Sequence, residues 1–82
     1  MQRINLRVGR NNVEIIKHDN DALSVRGLGD DGTHESNAYP AASDGSHKDK
    51  AKSDLSRMIK NSIAGEEKKG YDFIDGNGST AP

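Results

Sequence analysis

The sequence predicts a small α+β fold, in which an antiparallel three-stranded meander packs against one C-terminal helix. Two observations predict this class: apolar and polar residues alternate over residues 3–26, and an apolar stripe with helical period covers residues 51–63. Turns rich in Gly, Asn and Asp at 9–12 and 18–21 are short enough to join neighbouring antiparallel strands. The predicted order is β-β-β-loop-α-β, where the fourth strand is short and optional.

Each of the three predicted strands has one apolar face. The strands cover residues 3–8, 13–17 and 23–26, and their alternation assigns every second residue to the outer face of the sheet. Ile16 is the one apolar residue that this alternation places outward within the second strand. The polar residues on the predicted outer face of the first and third strands are Arg3, Asn5, Arg7, Ser24 and Arg26.

The composition of residues 29–46 predicts a long acidic loop, because turn-forming residues dominate and Tyr39 is the only large apolar side chain. The apolar stripe that follows predicts a helix with Ser46 as its N-cap. Gly65 is expected to stop this helix. Residues 71–74 are β-prone and predict the short fourth strand.

One domain is expected over residues 1–75, followed by a flexible tail at 76–82. The chain has 82 residues, of which 30% are apolar and 30% charged, so it can bury only a thin core. Stabilisation by a partner, including a second copy in a homodimer, is therefore plausible.

The composition also bears on the cellular setting. There is no cysteine, which excludes disulfides and cysteine-ligated zinc and favours a reducing cytoplasm. The N-terminal residues alternate instead of forming a basic segment before an apolar run, so we expect no signal peptide and no membrane span.

A repeated motif, Asp-Gly-Thr/Ser-His, contains the candidate metal ligands Asp31, His34, Asp44 and His47. Two His and two carboxylates could hold zinc or manganese, but Asp-Gly is also a common turn dipeptide, and turn chemistry is the simpler explanation. His18, His34 and His47 could be imagined as acid/base groups, yet all three fall in predicted turns. We therefore expect no metal, no cofactor and no enzymatic activity, with a metal- or histidine-dependent hydrolase as the alternative.

Binding to another protein is the function that the sequence favours, with the chain acting as an inhibitor or adaptor. The outer sheet face and the acidic loop would dock on the partner, and the acidic side chains would steer the complex towards a basic surface, such as one that handles nucleic acid. The small size and the lack of a familiar motif favour an origin in phage or another mobile element. The candidate protein-binding residues are Arg3, Arg7, Ile16, Arg26, Asp30, Asp31, Glu35 and Tyr39.

Nucleic-acid binding through the same sheet face is the alternative. A sheet with outward arginines and a helix behind it can lie in the major groove of a duplex. The predicted outer face has no aromatic side chain for stacking, so single strands are less suitable ligands. The candidate residues for this alternative are Arg3, Arg7, Arg10, Arg26, Lys50 and Arg57.

Overall fold

A computed structural model describes residues 1–8, 11–28, 33–59 and 64–76, and within these ranges the chain forms an antiparallel sheet with helices on one face. The strands are consecutive neighbours in the order β1-β2-β3-β4. The α+β class and the antiparallel meander are therefore confirmed. The elements are β1 (Gln2–Val8), β2 (Asn11–Lys17), β3 (Leu23–Leu28), β4 (His34–Tyr39), α1 (Ser46–Met58) and α2 (Ala64–Asp75).

The core lies between the sheet and the two helices. Alternate residues of the strands face the helices, as the period of two predicts. Ile16 is buried, with 6% of its surface exposed, but it is not part of this core cluster because it lies on the opposite face. The core cluster consists of Leu6, Val13, Ile15, Leu23, Val25, Tyr39, Ala51, Leu55, Met58, Ile59, Phe73 and Ile74.

The prediction of a loop over 29–46 is wrong for residues 34–39, which form β4 and pair with β3. The inward residues of β4 are Glu35, Asn37 and Tyr39, so only one of the three is apolar. The strand therefore has no hydrophobic alternation that sequence analysis can detect, and pairing with β3 stabilises it instead. Residues 29–32 lie outside the described ranges.

The prediction of a fourth strand at 71–74 is also wrong, because these residues belong to α2. Phe73 and Ile74 are adjacent and each is only 1% exposed, a pattern that a helix lying between two other elements permits. Gly65, the predicted helix stop, lies inside α2. The order is thus β-β-β-β-α-α with two helices, and the predicted tail lies outside the described ranges from residue 77 onwards.

The start of α1 differs in detail from the predicted cap. The helix begins at Ser46, so the N-cap is Gly45 and not the predicted Ser46; Gly45 lies in the left-handed region at φ 77° and has no side chain that could accept a hydrogen bond. Instead the carboxylate of Asp44 accepts the backbone N–H of Ser46 at 2.9 Å. This hydrogen bond from the Ser46 backbone is the main cause that lowers the pKa of Asp44.

Candidate functional site

The outer face of the sheet is the main candidate for a functional surface. Both helices lie on the core side, so side chains on the other side of the four strands point away from the described body of the protein. The strand register assigns to this face Arg3, Asn5, Arg7, Asn12, Glu14, Ile16, Ser24, Arg26, Leu28, His34, Ser36 and Ala38.

Glu14 lies between two arginines at the centre of this face. Its carboxylate is 3.5 Å from a guanidinium nitrogen of Arg3 and 3.5 Å from one of Arg26. The side chains of Arg3 and Arg26 are 56% and 55% exposed, whereas that of Glu14 is 22% exposed. The positive groups are therefore the ones presented to solvent, and the carboxylate below them restricts their positions.

Arg7 is the third arginine of the face and is placed differently. Its backbone N–H donates to a carboxylate oxygen of Glu66 in α2 at 3.2 Å. Among the described residues, its guanidinium takes part in no ion pair. This charge is thus available to an anionic ligand.

Hydroxyl groups complete the polar part of the face. The Nε of Arg26 donates to the hydroxyl of Ser36 at 3.3 Å, which fixes the arginine across the β3–β4 pair. His18 and Ser24 share a hydrogen bond of 2.8 Å at the end of the sheet where β2 turns into β3. Such groups can donate to phosphate or to base edges without further rearrangement of the backbone.

Ile16 is on the predicted face but does not present an apolar contact surface, because it is almost fully covered. Among the residues whose side-chain burial is described, Met1 is the only large apolar one that is exposed. The outer face is therefore polar and cationic, without the apolar centre that is typical of stable protein interfaces.

Tyr39 and Glu35 are not on a docking loop, contrary to the expectation from the sequence. Tyr39 is 7% exposed and part of the core, so the expectation of an exposed aromatic residue is wrong. Its hydroxyl donates to the carboxylate of Asp54 in α1. Glu35 accepts from Arg57 at 2.6 Å, and Arg57 also donates to Asp54 at 3.0 Å. These side chains form a network between β4 and α1.

The remaining candidate residues are separated from the outer face. Lys50 and Arg57 belong to α1, on the opposite side of the sheet, so they cannot extend the arginine surface. Arg10, Asp30 and Asp31 lie outside the described ranges.

The histidines of the repeated motif do not come together either. His34 is exposed on the outer face, whereas His47 is only 4% exposed and continues the core-facing stripe of α1. The prediction that these two histidines fall in turns is therefore wrong, because His34 belongs to β4 and His47 to α1. Both ring nitrogens of His47 lack a hydrogen-bond partner. No group of three or more metal-ligating side chains is placed to share an ion in the described part of the chain.

The comparisons with known proteins give no further assignment. Neither the known protein families, nor the curated proteins, nor the solved structures include a match to this chain. No helix within the described ranges is long and apolar enough to cross a bilayer.

Glu14 and Ser36 bond the arginines of the face, but neither is among the candidate residues named from the sequence, for different reasons. Glu14 alternates with Val13 and Ile15, so the second strand places it outward, but its pairing with two of these arginines depends on the register of three strands. Ser36 could not have been placed, because its position depends on β4, which has no hydrophobic pattern.

Proposed function

We propose that this protein is a non-enzymatic binding module that contacts double-stranded nucleic acid through the outer face of its sheet. The observation that supports this proposal is the composition of the face: three arginines lie among Asn, Ser and His side chains, without an exposed apolar centre. Arginine together with hydroxyl and amide groups is the set that binds phosphates and base edges.

The spacing of the arginines suits the dimensions of a duplex. Arg3 and Arg7 are four residues apart on one strand, which corresponds to about 13 Å. Arg26 lies two strands away, at about 10 Å, and is level with Asn5 between the two. The major groove is about 12 Å wide, so the three guanidinium groups can reach phosphates on both sides of it.

Glu14 reduces the charge of the face but does not cancel it. One carboxylate against Arg3, Arg7 and Arg26 leaves an excess of two positive charges, and the carboxylate is the least exposed of the four groups. Two or three phosphate contacts predict a slope of about −2 to −3 in a plot of log K against log salt. The binding is therefore expected to be weak and sensitive to salt.

An inhibitor or adaptor that binds another protein remains the second candidate. Its support is weaker than the sequence indicated, because Tyr39 is in the core and Glu35 is engaged by Arg57. The arginine face itself could still bind an acidic protein surface. A cytoplasmic location and an origin in phage stay predictions from the composition.

Fluorescence polarisation with a labelled duplex of about 20 base pairs at about 50 mM salt tests the proposal. The double variant Arg3→Gln and Arg7→Gln should lose at least about tenfold in affinity. The matched control removes two positive charges from the helix layer, through Lys50→Gln and Lys69→Gln, and should change affinity by less than about twofold.

The outcomes separate the two candidates. A single strand of the same sequence should bind more weakly than the duplex, because the described outer face has no Phe, Tyr or Trp side chain for stacking. No binding to either nucleic acid, or an equal loss in both double variants, contradicts the proposal. Capture of an acidic protein that depends on Arg3 and Arg7 would support the second candidate instead.

A further inference from the structure

The two edges of the sheet differ in how their backbone groups are used. The N–H of Arg7 in β1 donates to Glu66 and therefore points away from β2. Residues two apart in a strand direct their backbone N–H and C=O groups to the same side. The backbone groups of Arg3 and Asn5 therefore also point to the free side of β1. Since α2 packs beside β1, part of this edge is already occupied.

The same alternation identifies the free backbone groups of β4. Starting from β1 and following the register through β2 and β3, the residues of β4 that pair with β3 by hydrogen bonds are the odd-numbered ones. His34, Ser36 and Ala38 then direct their N–H and C=O groups to the outer edge. Among the described residues, none bonds these backbone groups on that side.

We propose that the β4 edge binds the β4 edge of a second copy of this chain, in antiparallel orientation and centred on Ser36. This register pairs Ser36 with Ser36 and His34 with Ala38, so all three free residues take part in the ladder. The result is a continuous eight-stranded sheet in which the two outer faces adjoin. The inference concerns self-association and does not depend on the proposed binding of nucleic acid.

The side chains of β4 are complementary to themselves in this register. On the outer face the seam contains Ser, Ala and His, and no two like charges are opposed. On the inner face Asn37 stands opposite Glu35 of the second copy. The amide nitrogen of Asn37 is buried and has no hydrogen-bond partner in the single chain, so a rotation of this side chain is needed before it can donate to that carboxylate.

The charged residue on this edge does not oppose the pairing. An inward-pointing charge is one of the features that protect edge strands from association. The Glu35 carboxylate, however, is paired with Arg57 at 2.6 Å, and because Arg57 is shared with Asp54 this pairing compensates the charge of Glu35 in part. Proline and lysine, the other common protective residues, are not present in β4. The short strand gives a small interface, so the dimer is expected to be weak.

Sedimentation velocity over a range of concentrations tests the proposal. The natural chain should self-associate with a dissociation constant of about 10 μM to 1 mM. Ser36→Pro removes an N–H that faces the free edge, so it should leave the β3–β4 ladder intact and weaken association at least about tenfold. The matched control is Asn5→Pro, which removes an edge N–H from β1 and should change the dissociation constant less than about twofold.

A second pair of variants covers the case in which proline impairs folding. Ser36→Lys opposes two like charges at the symmetry axis and should also weaken association, whereas Asn5→Lys should not. The amide of Ser36 should exchange more slowly with solvent as the concentration rises. A monomer at about 1 mM, or equal weakening by the β1 and β4 variants, would overturn the proposal.

Discussion

Tyr39 connects the core with the polar network between β4 and α1. Burial, and next the hydrogen bond to Asp54, raise the pKa of its hydroxyl above the usual value for tyrosine. The folded chain therefore keeps this proton at a pH where the unfolded chain releases it. The protonated hydroxyl of Tyr39 therefore contributes to the free energy of unfolding. This contribution is fully present below about pH 10 and is lost as the pH rises further.

We expect Tyr39→Phe to lower the free energy of unfolding by about 1–2 kcal/mol at neutral pH, because one hydrogen bond to a carboxylate is lost. Between about pH 9 and 11, urea unfolding of the variant should show a shallower decline in stability than the natural chain. Tyr71→Phe is the comparison: burial also raises the pKa of Tyr71, so this variant should flatten the decline as well, but by less, because the hydrogen bond to Ser56 opposes the effect of burial. An unchanged slope in Tyr39→Phe would disprove the role assigned to this proton.

Variants must be compared because the titration of Lys17 changes the stability of the fold in the opposite direction to that of Tyr39. Burial and next the nearby charge of Lys48 lower the pKa of Lys17. As the pH rises towards the pKa of an unperturbed lysine, Lys17 loses its proton in the folded chain first, which raises the free energy of unfolding. Over the same range the titration of Tyr39 begins to lower it. Only the difference between variants isolates the tyrosine.

The positions of the three arginines in the candidate site could be predicted from the sequence, whereas those of Tyr39 and Glu35 could not. Arg3, Arg7 and Arg26 follow from the alternation of three strands with clear apolar faces. The roles of Tyr39 and Glu35 depend on contacts with α1, which no local pattern contains. Long-range pairing decides whether a lone aromatic residue is buried or exposed.

At the scale of elements, hydrophobic period predicted β1, β2, β3 and most of α1. It failed for β4 because Glu35 and Asn37 take inward positions that are normally apolar. It failed for α2 because the β-prone run at 71–74 outweighed the helix-forming residues before it. In both cases the tertiary partner, and not the local propensity, determines the secondary structure.

Gly70 determines how closely α2 approaches the sheet. A Cβ at this position would lie 2.6 Å from a methyl group of Leu55 and 2.8 Å from one of Leu6, both of which are fully buried. Gly65 is in the same helix, and a Cβ there would meet nothing within 4 Å. The two glycines therefore form a matched pair for substitution.

Gly65→Ala should stabilise the protein by up to about 1 kcal/mol, because alanine restricts the unfolded chain and favours the helix. Gly70→Ala has the same helical gain, but overpacking of the core costs about 1–3 kcal/mol, so we expect a net loss of about 1 kcal/mol. Urea unfolding of both variants measures the difference. A gain in stability from Gly70→Ala would show that the core around Leu55 and Leu6 accommodates the extra methyl group.

At the scale of the whole molecule, the edge strand β4 contacts the helix layer through ion pairs as well as through the hydrophobic core. Arg57 donates to Glu35 of β4 and to Asp54 of α1, and these two carboxylates raise its pKa. The side chains of Arg57 and Glu35 are 32% and 30% exposed, so water screens this contact only in part. The network thus links an edge strand of the sheet to α1.

A double-mutant cycle with Arg57→Ala and Glu35→Ala measures this link. We expect each single variant to lower the free energy of unfolding, and the double variant to lower it by less than the sum, because the two losses share one contact. The control cycle uses Lys68 and Asp72, an i,i+4 pair on α2 in which the lysine side chain is 75% exposed, and its coupling should be at least about twofold smaller. Faster exchange of the β4 amides in Arg57→Ala, at unchanged exchange in β2, is the expected local signature. Equal coupling in the two cycles would show that the network does not hold β4 more firmly than a surface ion pair does.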